Sequence, residues 1–141
     1  MPAVTEADQA WLLNEAAFRL RALGRLTEAL EPMRAGVEMA KRASDSATDE
    51  RMRLHQSKEA AIRASNLSEL ELTLGAVTGA VGDAEQSVTY ADRSGDAGMR
   101  IIMRTTHADA LHYAGRRAEA EARFREAEHM QAERQLDYPL L

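Results

Sequence analysis

Gly115-Arg116-Arg117-Ala118-Glu119-Ala120-Glu121-Ala122-Arg123-Phe124 is the stretch on which the fold turns. A glycine is followed after five residues by alanine and after four more by a large apolar side chain. Glycine tolerates the left-handed backbone that ends a helix. Two apolar residues four apart share one face of the helix that follows. The same spacing recurs as Gly24, Ala29, Met33 and, with a small last residue, as Gly75, Ala80, Ala84. Self-similarity of this kind marks a chain built from repeated helix–turn–helix units.

Outward from these turns the pattern is helical throughout. Thr5-Glu6-Ala7-Asp8 reads as a capping box opening a first helix that carries Trp11, Leu12, Ala16, Leu20 and Leu23 and stops at Gly24. A second helix is expected over about 26–43, with Leu30, Met33, Val37 and Ala40 on its buried face and Pro32 producing either a kink or a late start. Ser44 to Thr48 reads as a polar linker. A long third helix, about 49–74, ends at Gly75, and a fourth covers about 76–93 despite Gly79 and Gly82. Ser94-Gly95-Asp96 makes a break, a fifth helix covers about 97–114, and a sixth about 118–134. The tail from Leu136 to Leu141 is apolar and stops abruptly, as the edge of a longer protein would. The expected architecture is all-α: a right-handed solenoid of about three antiparallel units, about 5–43, 48–93 and 97–134, in one repeat domain over 1–141.

Composition agrees. The 141 residues are 45 % hydrophobic but only 4 % aromatic, so alanine, leucine, valine and methionine must fill the core. Cysteine is absent, which removes disulfides, cysteine-ligated metals and thiol nucleophiles and fits a cytoplasmic setting. No run of about 18 apolar residues is present to span a membrane, and residues 1–8 lack the pattern of a secretion signal. The formal net charge is −5 with acids and bases interleaved, so nucleic acid is not an expected partner.

The Gly-x4-Ala-x3-large pattern resembles the second half of a tetratricopeptide repeat (TPR). Over residues 5–134 the resemblance implies a helical array that binds proteins or peptides. The unit length departs from the usual ~34 residues: Gly24 and Gly75 are 51 apart, Gly75 and Gly115 are 40 apart. The 40-residue interval is similar to long-helix TPR variants of bacterial signalling proteins, and the 51-residue interval implies a linker and a third helix lengthened by two or three turns. The tryptophan of the family's first helix is replaced by Leu13, Ala64 and Arg104, and its glycine by Ala17, Ser68 and Ala108.

In such an array the first helix of each unit lines the concave wall. Counting back from the glycines assigns Trp11, Asn14, Phe18 and Arg21 to it, then Ile62, Ser65, Glu69 and Leu72, then Ile102, Thr105, Asp109 and His112. Apolar anchors mixed with polar groups suit a peptide groove. Trp11 and Phe18, seven apart on one face, are read either as groove anchors or as core against the second helix. His107, Asp109 and His112 do not make a metal site, because the two histidines diverge by roughly 140° around a helix. No cofactor is implied, and no phosphate loop or nucleophile elbow is present, so the expectation is a scaffold and not an enzyme. Self-association through the repeat ends, served by Tyr138, Leu140 and Leu141, is the alternative.

Overall fold

The computed structural model describes residues 3–137. Among them the chain is all-helical: α1 Glu6–Ala22, α2 Leu26–Asp45, α3 Glu50–Thr73, α4 Val77–Ser94, α5 Ala97–Tyr113 and α6 Arg117–Asp137. The apolar tail residues 138–141 lie outside the described residues.

The helices start in two different ways. Each odd-numbered helix begins on a side-chain cap. Thr5 Oγ1 accepts from the Asp8 backbone N–H at 3.1 Å, Asp49 Oδ1 from that of Met52 at 2.7 Å, and Asp96 Oδ1 from that of Met99 at 2.8 Å. The helices α2 and α4 have no such cap and follow directly on glycine turns. Gly24, Gly75 and Gly115 all lie in the left-handed region, at φ 75°, 81° and 78°. After each, the next N–H reaches five residues back: Arg25 to Leu20, Ala76 to Glu71 and Arg116 to Leu111, at 2.8, 2.8 and 2.9 Å. The glycine N–H itself bonds three residues back in all three. These are three copies of one Schellman turn.

Consecutive helices pack on each other, and α3 also packs on α5. Small residues make the close contacts, because without bulk the helix backbones can approach. Ala29, Ala80 and Ala120 are all buried, as are Ala17, Ser68 and Ala108 one helix earlier. Apolar packing falls in three clusters. The first joins Ala17, Met33, Val37, Ala64, Leu67 and Leu70, the second Ala40, Ala60, Val88, Tyr90 and Met103, and the third Val81, Ala84, Leu111 and Ala120. Buried hydroxyls pin the helices between clusters. Ser44 and Ser57 share a 2.7 Å hydrogen bond from α2 to α3, and Ser68 Oγ donates to Ala80 O at 2.7 Å.

Two expectations change. The second helix runs on to Asp45, because Ser44 is buried against Ser57 and is not linker. It begins at Leu26, so Pro32 lies inside it and does not delay its start. The remaining ends fall within a few residues of the sequence reading, as helix boundaries usually do.

Candidate functional site

The residues expected on the concave wall, on α1, α3 and α5, differ in exposure from helix to helix. On α1, Trp11 is 56 % and Phe18 67 % exposed, with Asn14 and Arg21 half-buried beside them. Of the two readings, core packing therefore does not apply to Trp11 and Phe18. On α5, Ile102, Thr105, Asp109 and His112 are all exposed.

On α3 the wall is largely covered. Ser65 is only 6 % exposed and is withdrawn from the expected surface. Ile62 and Leu72 are half-buried, the first against the cluster holding Met103 and the second against that holding Leu111. The cause is position: α3 is packed by α2, α4 and α5, so only Glu69 of its four wall residues is exposed.

The structure does not gather the wall into one cleft. Trp11 instead borders a notch with Ala10, Ala40 and Ala43 on one side and His55, Gln56, Glu59 and Arg63 of α3 on the other. Arg63 holds Glu59 at 3.4 Å, and its Nε is buried without an acceptor among the described residues. Burial, partly offset by Glu59, lowers the tendency of that guanidinium to hold its proton. Thr105 and His112 line two shallow grooves that share Phe124 of α6. His55, Gln56, Glu59 and Arg63 were missed by counting from glycines: His55 and Gln56 project from the first two turns of the long α3, ahead of the counted wall, and Glu59 and Arg63 hold positions that the count did not assign to it.

His107 and His112 lie in different surroundings. His107 is buried and accepts from Arg123 Nε at 3.1 Å through Nδ1, while His112 is exposed with its ring edge-on to Tyr113. Burial, then Arg123, pushes the His107 imidazole below its usual pKa. Among the described residues no cluster of three or more His, Cys, Asp or Glu side chains could hold a metal.

Arg104 is buried at the meeting of α4, α5 and α6. Its guanidinium donates to both Asp92 oxygens, at 2.8 and 2.9 Å, and to Glu126 Oε1 at 2.8 Å. Arg100 also reaches Asp92 at 3.0 Å, and Arg123 reaches Glu126 at 2.7 Å. The hydrogen bond from Arg104 holds the Asp92 carboxyl below its usual range. A second polar group in a leucine's place is Glu71, which occupies the turn position of Leu20 and Leu111 and is 3 % exposed. Burial first, and the Asp83 carboxylate second, push it up to about 8. The Arg104 network ties α4, α5 and α6 together, whereas Glu71 Oε1 is buried without a hydrogen-bond partner among the described residues.

Comparison with protein-family models, with curated proteins and with solved structures found no match. No helix among the described residues is long and apolar enough to cross a membrane.

Proposed function

We infer that the chain is a TPR-like scaffold that binds a protein or peptide along the concave wall lined by its odd-numbered helices. The array is a right-handed solenoid of three antiparallel helix pairs. Three identical turns, three equivalent buried alanines and the contact of α3 with α5 support that arrangement. The observation that carries the binding role is the exposure of Trp11 and Phe18 on one face, beside the polar notch of His55, Gln56, Glu59 and Arg63. Large aromatic rings left in water gain free energy when a partner covers them, and they dominate many interfaces. Neighbouring polar groups then fix the orientation of what is bound.

The role is one of binding, not of catalysis. It requires no cofactor and a partner of protein chemistry, in keeping with an acidic surface that lacks a concentrated basic patch. A cytoplasmic location goes with it, since the absence of cysteine suits a reducing compartment.

Trp11 is the chain's one tryptophan and reports on its own site. A partner captured by the wild-type chain should shift the indole emission to the blue and be lost with Trp11→Ala plus Phe18→Ala. Capture that is unchanged in that double variant, with helix content intact, rules the groove out.

A further inference from the structure

The two ends of the array are finished differently. Counted from the three glycines, Leu12, Arg63 and Met103 hold equivalent positions, as do Ala16, Leu67 and His107. In the second and third units these sites are covered: Met103 is 3 % exposed, Leu67 and His107 are buried, and the Arg63 side chain is nearly so. In the first unit Leu12 is 52 % exposed and Ala16 is open to solvent. Leu23, 71 % exposed, continues the stripe. At 100° per residue these three lie within about 40° of one another, roughly a quarter-turn or more from Trp11 and Phe18.

The far end carries a polar finish. Val37, Val88 and Glu128 are equivalent, and so are Ala40, Ala91 and Gln131. The valines and alanines are buried under the next helix, whereas Glu128 and Gln131 are exposed on α6. A copy stacked head-to-tail would press Leu12 and Leu23 onto those polar groups without replacing their water.

We propose that the outer face of α1, formed by Leu12, Ala16 and Leu23, pairs with the same face of a second copy of this chain in an antiparallel, two-fold symmetric dimer. The residues are arranged for it. A two-fold axis at the level of Asn14 sets Leu12 against the partner's Ala16, and Leu23 against the partner's Thr5. The small Ala16 lets the two helices approach. Charge fixes the direction. Asp8 and Arg19 lie on the same flank of the stripe, toward opposite ends of α1, and both are exposed. A two-fold pairing keeps flanks together while reversing direction, so Arg19 falls beside the partner's Asp8. Parallel pairing would put like charges together. The contact is isologous and closes at two copies.

The test is the mass of the full chain in solution by sedimentation or light scattering. A species of twice 15.6 kDa is expected. Replacing Leu12→Glu and Leu23→Glu should weaken it by roughly tenfold or more without loss of helix, since both side chains are exposed in the single copy. Arg19→Glu sets an anion beside the partner's Asp8 and should weaken the dimer at low salt, an effect that shrinks at about 1 M salt, where charges are screened within ~3 Å. Arg19→Gln should weaken it less. A strict monomer, growth beyond two copies, or a dimer indifferent to the Leu12 and Leu23 changes overturns the proposal. Trp11→Ala with Phe18→Ala should leave the dimer intact, which separates this surface from the groove. A dimer lost in that variant overturns the assignment to Leu12 and Leu23.

Discussion

Glu71 occupies the space that a side chain at position 79 would need. A Cβ built on Gly79 would overlap Glu71 Oε2. Alanine in a helix interior normally gains about 0.5–1 kcal/mol over glycine. Here Gly79→Ala should instead destabilise the chain, because the buried Glu71 carboxyl must leave the position it occupies. In a Glu71→Ala background the obstacle is gone, and the same Gly79→Ala change should stabilise by the ordinary amount. Denaturant unfolding of the two single variants and the double variant measures the coupling. Additive effects would contradict it.

The same carboxyl makes stability depend on pH. Unfolded, Glu71 titrates near 4.3; folded, burial and Asp83 raise it to about 8, with Arg34 a smaller opposing influence. The folded chain therefore holds the extra proton between those values, and stability falls as pH rises from about 4.3 to about 8. His107 acts at the other end of the range. Its folded pKa is lowered, so it subtracts stability only below about 6.5. Between pH 6.5 and 8.5 the decline should thus belong to Glu71. Thermal melts of Glu71→Leu, which restores the residue found at Leu20 and Leu111, should be nearly flat across that window. A wild-type melting point that rises from pH 6.5 to 8.5 would show the sign to be wrong.

Arg104 supports a third expectation. It is buried, but Asp92 and Glu126 are each roughly two-fifths exposed and can regain water when it is removed. The cost of Arg104→Ala should therefore fall near 2–3 kcal/mol, at or below the lower end of the range for a broken buried pair. Arg104→Lys keeps the charge yet cannot bridge Asp92 and Glu126 with the same fork, and should recover only part of that stability. Asp92→Asn should cost less than Arg104→Ala, since Glu126 still holds the guanidinium. Chemical unfolding of the three variants gives the ranking, and Asp92→Asn as the most damaging would refute it.

What the sequence disclosed was the part fixed by neighbours along the chain. Glycine, alanine and a large residue at set intervals act through one turn and one helix face, and the three Schellman turns and buried Ala29, Ala80 and Ala120 follow from them. Ser65 was misplaced because its burial comes from the other helices packed on α3, contacts that no spacing within α3 records. The Arg104 and Glu71 networks were hidden for the same reason, since Asp92, Glu126 and Asp83 come from other helices. Trp11 and Phe18 were ambiguous because α1 is apolar on several sides, leaving period alone unable to choose the face that packs.

That ambiguity yields the last prediction. If Trp11 and Phe18 filled the core, truncating each would cost about 3–5 kcal/mol and the chain would scarcely fold. Exposed as they are, each should change stability by about 0.5 kcal/mol or less. Met33→Ala is the matching control, because Met33 is buried between α1 and α2 and should cost about 2–5 kcal/mol. The unbound indole should also emit at the wavelength of a solvated ring and be readily quenched by iodide or acrylamide. A blue-shifted, protected tryptophan in the unbound chain, together with a large loss on Trp11→Ala, would return Trp11 to the core and remove the anchor of the proposed groove. A wet indole whose removal leaves the fold intact is a side chain free to be covered by something else.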